Sequence, residues 1–294
     1  MRYILTADWH LRADTPLCRT DDFQTAQWAK VRAAFQHARK HQAKILIAGD
    51  LFDKPKPSLS LVYQTMQVFR EYADVAVCAV PGNHDMPAHS ITEISASAYG
   101  LMELSGLINS EKSPWEYYAG WNAPVPTLVR DTYGKFNILI HHAMVLDGPA
   151  PKGWGDTWDA NLVLEQYPQF DLILTGHNHT RLIHTLGNRC LVNPGCLTRQ
   201  TAAEEDHQPQ VLLLDTTTRE YKVIPLEVEP GVVSREHIDV ITKRDECIEE
   251  FVDSLNKPEV IELDFIKNLE QALLTNELAD NTKDVLLEIM EELR

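Results

Sequence analysis

The sequence lacks the features that mark membrane-spanning, secreted or disulfide-stabilised proteins. It contains no apolar run of about 18 residues, which argues against a membrane span. Its first residues, Met1–Asp8, hold too short an apolar stretch for a signal peptide and are interpreted as a core strand. The five cysteines form no C-x-x-C pair and are odd in number, which favours a reducing cytoplasm over a disulfide framework. We therefore expect a cytoplasmic location, in the host cytoplasm if the source is viral, and no membrane partner.

Internal repeats and low-complexity tracts are also missing. The 294 residues are enough for one large domain, or for one domain with an appendage. Hydrophobic residues make up 44% and charged residues 24% of the chain, as in a soluble globular protein with a substantial core.

The chain lacks the surplus of basic residues that is common in nucleic-acid-binding proteins. Its net charge of −16 argues at first against a nucleic acid as partner. The acidic excess is concentrated in residues 231–294, which hold 17 Asp and Glu against 7 Lys and Arg. Residues 1–60 instead hold 10 Lys and Arg against 6 Asp and Glu. The overall charge therefore describes the C-terminal region more than any active surface.

Apolar runs alternate with helical periodicity along the first two thirds of the chain. Five runs are predicted to be buried strands: Tyr3–Ala7, Ile45–Ala48, Val75–Val80, Phe136–Ile140 and Leu172–Thr175. Between the first two, apolar residues recur at spacings of three and four over residues 28–38, which predicts a helix. A second helix is predicted to begin after a Ser58 cap. This alternation predicts parallel βαβ units and an α/β fold.

The character of the chain changes near Pro230. Shorter strands before that point predict a second sheet: Leu182–Leu186, Arg189–Val192 and Val211–Asp215. After it, three amphipathic helices and one short strand are predicted: Glu246–Leu255, Phe265–Leu274, Thr282–Leu293 and Val260–Leu263. We expect a catalytic domain over residues 1–230 and an acidic, mainly helical region over residues 231–294. The second region is interpreted as a reduced capping or partner-binding part.

The ends of the five predicted strands carry side chains that bind metals. These residues are Asp8, His10, Asp50, Asn83, His84, His141, His177 and His179. One histidine on an apolar strand is commonly a satisfied core residue, but polar groups at five strand ends are costly to bury unless they share a partner. Parallel sheets bind ligands beyond the carboxyl ends of their strands. The sequence therefore predicts a ligand site at that edge.

Mixed carboxylate, amide and imidazole ligands favour Mn²⁺, Fe or Zn²⁺ over the oxygen-only sets of Ca²⁺ and Mg²⁺. So many ligands predict two ions about 3.5–4 Å apart, with one shared carboxylate. Asp50 is the expected bridge because it lies at a glycine-supported strand end. At the fourth strand end we favour His141, which directly follows the apolar run, and His142 remains the alternative.

The ligand-type residues fall into an ordered series of motifs: Asp8-x-His10, Gly49-Asp50-x-x-Asp53, Gly82-Asn83-His84-Asp85, His141 and Gly176-His177-x-His179. Over roughly Met1 to Leu226, this series resembles the calcineurin-like metallophosphoesterases. Asn193-Pro194-Gly195-Cys196 is also similar to the Asn-Pro-Gly-Ser turn of that family. The resemblance implies a two-sheet core flanked by helices in α-β-β-α layers, here with a small, mainly helical C-terminal appendage.

The same resemblance implies a role for each matching residue. One metal ion would be held by Asp8, His10, Asp50 and His179. The second ion would be held by Asp50, Asn83, His141 and His177. As the general acid, His84 would protonate the leaving oxygen, and Asp85 would orient it.

Within the family, the residues of these motifs are most similar to those of the nuclease subunit of the SbcCD and Mre-type DNA repair complexes. That resemblance implies a Mn²⁺-dependent exonuclease and endonuclease that acts on DNA in repair, recombination or replication. It also implies an ATPase partner of the SbcC/Rad type, and a homodimer remains open. Two departures stand out: Asp53 replaces a histidine that some members carry, and only about 65 residues follow the core. We expect the DNA-capping and partner-binding parts to be abbreviated or rebuilt.

Basic residues after the predicted strand ends are expected to rim the site and to hold flanking phosphates: Arg12, Arg19, Lys54 and Lys56. An open basic groove would favour DNA as substrate. A deep pocket closed by the Leu146–Trp158 loop would favour the alternative, a small-substrate nucleotide phosphodiesterase or phosphomonoesterase. A scaffold with a vestigial site is the third hypothesis, and the full set of ligand-type residues argues against it.

Overall fold

The computed structural model of the chain describes residues 1–127, 135–150, 157–255, 267, 273–274 and 280–292. The chain divides into two compact units, Met1–Val233 and Ser234–Arg294.

The strands of the first unit, in chain order, are β1 Arg2–Thr6, β2 Lys44–Ile47, β3 Val77–Ala79, β4 Glu116–Ala119, β5 Ile138–His142, β6 Val145–Leu146, β7 Trp158–Asp159, β8 Leu172–Gly176, β9 Leu182–Leu186, β10 Arg189–Asn193, β11 Gln210–Asp215 and β12 Glu220–Pro225. Its α-helices are α1 Phe23–His41, α2 Leu59–Glu71, α3 Ala98–Leu104 and α4 Ala160–Gln166. The predicted cap of α2 is present, because the Ser58 hydroxyl accepts the Leu61 N–H at 3.3 Å.

Most of the strands form two five-stranded sheets. The first has the order β12-β11-β1-β2-β3, in which β1, β2 and β3 run parallel and β11 runs antiparallel to β1. The second has the order β4-β5-β8-β10-β9, in which only the edge strand β9 is antiparallel to its neighbour. Parallel strands end at a common edge, so each sheet gathers its strand-end residues in one place.

The two sheets face each other across a shared apolar core, and helices cover their outer faces. Leu5 of the first sheet and Ile140 of the second belong to the core between the sheets. Phe35 of α1 lies in the core outside the first sheet, and Leu164 of α4 lies in the core outside the second. Each large apolar side chain buried in this way contributes about 1.5–3 kcal/mol. The predicted α/β class, with two sheets flanked by helices, is confirmed.

The structure contains elements that were not expected from the sequence. Strands β4 and β12 were not predicted, since neither carries a clear apolar run and the side chains of β12 are largely exposed. Residues 91–104 form a 3₁₀ segment, Ile91–Ala96, followed by α3. Ser97 separates the two because its side chain caps α3 by accepting the Gly100 N–H.

In the second unit, the structure describes helices over Glu236–Leu255 and Asp280–Glu292. The Thr282 hydroxyl donates to Cys247 Sγ at 3.6 Å and links the two helices. The predicted strand Val260–Leu263 and most of the predicted helix Phe265–Leu274 lie outside the described residues. Among the described residues, no helix is both long enough and apolar enough to cross a membrane.

Candidate metal centre

The residues that follow β1 and β2 adopt strained backbone conformations beside each other. Positive φ angles occur at Asp8 (49°), His10 (43°) and Asp50 (51°). Such angles cost about 1–3 kcal/mol each in a residue with a side chain, so the surrounding structure must impose them. Backbone hydrogen bonds do so here: Asp8 N donates to Gly49 O at 3.1 Å, and His10 N donates to Asp50 O at 2.9 Å. The two loops thus hold each other in place.

Two glycines allow ligand-type side chains to approach the backbone. A Cβ atom on Gly82 would lie 2.1 Å from Asp50 Oδ1. One on Gly49, which has a φ of 92°, would lie 2.1 Å from His142 Nδ1. Both contacts are far below van der Waals distance, so a larger residue at either position would displace a site residue.

One group of ligand-type atoms is formed by Asp8, His10 and His179, whose atoms lie within 4.8 Å of one another. His10 Nε2 and His179 Nε2 are 3.0 Å apart. The carboxylate of Asp8 is held from behind, because the His177 N–H donates to its Oδ1 at 2.9 Å.

A second group is formed by Asp50, His142 and His177. The side-chain oxygen of Asn83 joins it, 3.1 Å from His142 Nε2 and 2.9 Å from His177 Nδ1. Asp50 also links the groups, since its Oδ2 lies 3.3 Å from His142 Nε2 and 3.5 Å from His10 Nε2. This central position is the one expected of a bridging carboxylate.

The structure brings His142, and not the favoured His141, to this cluster. The His141 ring is half-buried and its Nδ1 lies 3.1 Å from Ala119 O. His142 is fully buried, and its Nδ1 donates to Ala48 O at 2.7 Å, which leaves Nε2 free to bind a metal. Side chains alternate along β5, so His142 faces the first sheet together with Ile140, whereas His141 points the opposite way.

Asp85 does not orient His84 in the expected way. The Asp85 carboxylate accepts three backbone N–H groups, from Leu51, Phe52 and Gly82, at 3.0–3.1 Å. It therefore fixes the loop that carries Asp50. The His84 ring is oriented by a carbonyl instead, since its Nδ1 lies 2.8 Å from Asp53 O.

Burial and mutual charge shift the pKa values of the cluster. Burial raises the pKa of Asp8 to about 6 and lowers those of His10 and His177 to about 3 and 4. Burial also disfavours the charged form of His142, but Asp50 beside it raises its pKa to about 9. His10 and His177 are thereby kept neutral, which is the form of histidine that binds metals.

Glu204 is a site residue that the sequence analysis missed. Its Oε1 lies 2.6 Å from His179 Nδ1, and its other oxygen accepts the backbone N–H groups of Gln200 and Thr201. A carboxylate behind a metal-binding histidine fixes the ring and raises its basicity. No motif marks this residue, because its role depends on a loop 25 positions after His179 folding back.

Trp121 was also missed. Its ring lies 4.5 Å from that of His177 at an interplanar angle of 34°. Residue 121 follows strand β4, which was itself not predicted, so its proximity to the site could not be inferred.

The four basic residues expected at the rim separate into two sets. Arg12, Lys54 and Lys56 line one pocket of about 380 Å³ that also includes Asp53. Arg19 lies elsewhere: its buried guanidinium pairs with Asp21 at 2.5 Å and donates to Arg199 O at 2.9 Å. Arg19 therefore lies apart from the other three basic residues, since it lines a different cavity.

The donor set fits divalent metal ions. Asp8, Asp50 and Asn83 supply oxygen atoms, and the imidazoles of His10, His142, His177 and His179 supply nitrogen atoms. Glu204 contacts Nδ1 of His179, so Nε2 is the nitrogen of that ring that faces the site. It lies 3.0 Å from His10 Nε2. Ring nitrogens that converge in this way suit a shared cation.

Known proteins resemble this chain to different degrees. A model of the calcineurin-like phosphoesterase family matches residues 1–181. The chain is 25% identical over 264 residues to the DNA double-strand break repair protein Mre11 of Methanosarcina mazei, covering 81% of this chain and 38% of that protein. It thus spans well under half the length of this curated relative.

Two solved structures are also similar to the chain. One is a novel archaeal phosphodiesterase, with 17% identity, a TM-score of 0.41 and coverage of 77% of this chain and 100% of that one. The other is the protein TT1561 of Thermus thermophilus, with 14% identity, a TM-score of 0.45 and coverage of 77% and 99%.

Proposed function

The chain belongs to the calcineurin-like phosphoesterase family, and from this premise we propose that it is a binuclear phosphodiesterase that cleaves DNA. The family consists of metal-dependent phosphoester hydrolases, which sets the reaction class. The observation that carries the proposal is the pair of carboxylate–imidazole groups that Asp50 links, at distances of 3.3 and 3.5 Å. Two divalent ions, with Mn²⁺ as the proposed identity, would supply Lewis-acid stabilisation of the phosphoryl group there.

His84 is the proposed general acid. Its ring stands edge-on to that of His10, with the ring centroids 4.7 Å apart. Because Asp53 O accepts the Nδ1 proton, Nε2 is the nitrogen that would pass a proton to the leaving oxygen of the phosphoester. His84 lies outside the group of Asp50, His142 and His177, and its ligand-type nitrogen instead falls within 4.8 Å of those of His10 and Asp53.

The pocket of Arg12, Lys54 and Lys56 supports a substrate with more than one phosphate. Asp53 joins the pocket to the His84 side of the cluster, since its backbone holds that ring and its carboxylate lies 3.7 Å from Arg12 Nη1. Lys54 and Lys56 are exposed and have no ion pair among the described residues. Cations beside the reacting phosphate suit the neighbouring phosphates of a nucleic-acid strand.

The Methanosarcina mazei relative is a DNA double-strand break repair protein, which also supports DNA as the substrate class. We extend the proposal to exonuclease and endonuclease activity in DNA repair, recombination or replication. An ATPase of the SbcC/Rad type and a second copy of this chain are the proposed partners.

The test is a substrate panel with purified protein and Mn²⁺. End-labelled linear duplex, hairpin and single-stranded DNA are compared with a cyclic nucleotide and a chromogenic phosphate ester. We expect the DNA substrates to be cleaved. Turnover confined to the small esters would instead identify a small-substrate nucleotide phosphodiesterase or phosphomonoesterase.

A matched pair of variants tests whether cleavage comes from the proposed centre. His142→Ala should lose metal binding and DNA cleavage together, because His142 Nε2 faces Asp50. His141→Ala, one position away, should retain both, because its ring lies outside the cluster. Metal content after dialysis and the rate of DNA cleavage report the result, and the reverse pattern would contradict the proposed ligand set.

A further inference from the structure

A large cavity of about 1020 Å³ lies in the first unit, apart from the metal centre. Helix α1 and the loop before it form one wall, and residues 225–230, which follow β12, form another. Arg199 closes the cavity on the side of the loop that carries Gln200 and Glu204. Gln200 Nε2 donates to His10 O at 3.0 Å, so this loop separates the cavity from the cluster. The described residues that line the cavity include none of the ligand-type side chains of the metal centre.

Lys30 projects from α1 into this cavity. The residue is only 8% exposed, yet it makes neither an ion pair nor a hydrogen bond with the residues that the structure describes. Burial, together with the nearby cations Arg19 and Arg199, lowers the pKa of its ammonium group, and the carboxylates of Asp21 and Glu229 offset only part of this effect. An ammonium group on a largely buried side chain is unfavourable when no anion contacts it directly, so an anion in the cavity would relieve this cost.

A second cation faces the same space. The Nε of Arg199 donates to His207 O at 2.6 Å, and the described residues place no carboxylate within ion-pair distance of its guanidinium. Arg19 differs, because Asp21 already neutralises it at 2.5 Å. Lys30 and Arg199 are therefore the two charges that remain available to a ligand.

The rim of the cavity restricts the ligand that can enter. Glu227 and Glu229 are exposed on the wall after β12, and Asp22 lies on the wall of α1. These carboxylates would repel a polyanion such as duplex DNA. A compact ligand could still place one phosphate on the buried lysine and turn sugar hydroxyls or base amino groups towards the carboxylates. A volume of about 1020 Å³ is sufficient for a nucleotide.

We propose that this cavity binds a compact phosphate-bearing ligand of mononucleotide size, with its phosphate between the Lys30 ammonium and the Arg199 guanidinium. The site does not depend on the proposed DNA substrate, and it lies on the far side of the loop that contacts His10.

Calorimetric titration of the full chain in EDTA and low salt tests the proposal, with deoxyadenosine 5′-monophosphate and inorganic phosphate as separate probes. We expect one equivalent of the mononucleotide to bind, and inorganic phosphate to bind more weakly at the same site. Lys30→Met should weaken mononucleotide binding about tenfold to a hundredfold, because a charge-assisted hydrogen bond is lost. Lys40→Met, an exposed lysine of the same helix, is the matched control and should bind as the unaltered protein does.

Arg199→Met provides the second test and decides the matter if Lys30→Met does not fold. Retained binding in both folded variants, or no binding to the unaltered protein, would overturn the proposal. Loss of binding in Asp50→Asn would also overturn it, because the ligand would then occupy the metal centre. The titration involves no catalysis, so its failure and a failure to cleave DNA remain distinguishable.

Discussion

Charged side chains are buried at both ends of the space between the sheets, but their surroundings differ. At the amino ends of the strands, Lys44 Nζ lies 2.9 Å from Glu116 Oε1. The same carboxylate accepts the hydroxyls of Tyr3 at 2.9 Å and Tyr118 at 2.6 Å, and the Ser113 N–H at 3.0 Å. Each charge there meets a complementary partner within the protein.

At the carboxyl ends, complementary pairs such as Asp50 and His142 are joined by contacts between like groups. His10 Nε2 meets His179 Nε2 at 3.0 Å, and burial together with the neighbouring Asp50 raises the pKa of Asp85. Positive φ angles accompany this arrangement at Asp8, His10 and Asp50. The difference teaches that burial of charge does not by itself indicate function. A functional site is indicated where buried charged or metal-binding side chains converge and would be completed by a bound ion or ligand.

The largest expected effect follows from removing the carboxylate that joins the two groups. Asp50→Asn should lower phosphoester hydrolysis about a thousandfold or more, because several kcal/mol of Lewis-acid stabilisation would be lost with the metal. Metal content and initial rates measure this effect, with cooperative urea unfolding as the control for folding. A variant with undiminished metal content would show that Asp50 is not the bridge.

His84 should separate proton transfer from metal binding. His84→Ala should lower kcat by about 10²–10⁴, the usual contribution of a general acid, and leave metal content unchanged. A substrate with a good leaving group, such as a nitrophenyl ester, should be affected less because its leaving oxygen needs no proton. Loss of metal in this variant would mean that His84 is a ligand.

The ion pair of Lys44 and Glu116 should contribute to the free energy of unfolding and not to metal binding. Lys44→Met would leave the Glu116 carboxylate buried without its cation, at an expected cost of about 3–5 kcal/mol in the free energy of unfolding. Urea denaturation measures the cost, and metal content should not change. The double variant Lys44→Met/Glu116→Gln should recover part of the loss, and an equally unstable double variant would argue against a charge effect.

Glu204 should have the smallest effect, since it acts through His179. Glu204→Gln should weaken metal affinity about 10–100-fold, the usual result of losing a carboxylate behind a histidine ligand. Metal-buffered titration measures it. Glu205→Gln, at the exposed neighbouring position, is the matched control. Equal affinities in the two variants would show that Glu204 does not position His179.

The family and fold could be predicted because their signals are local. A strand that ends in a ligand-type residue can be recognised from an apolar run and the residues that follow it. The family match over residues 1–181 confirms the resemblance. Parallel pairing then obliges such ends to meet at one edge. For this reason the sequence also placed Asp8, Asp50 and His177 at a common site, where the structure puts them.

The structure alone decided which neighbour on a strand faces the site. The apolar run before them favoured His141 over His142, but the choice between the two depends on which face of β5 meets the first sheet. Asp85 was expected to orient His84, but it binds nearby backbone N–H groups instead. Arg19 was expected to hold phosphate, but it pairs with Asp21. Glu204 reaches His179 only because a later loop folds back.

The sequence by itself thus determined the fold class, most of the core strands and the chemistry at their ends. These follow from spacing along the chain and from the handedness of the backbone. Only the tertiary structure decided which side chains converge, because facing, register and the return of distant loops depend on contacts between residues far apart in sequence.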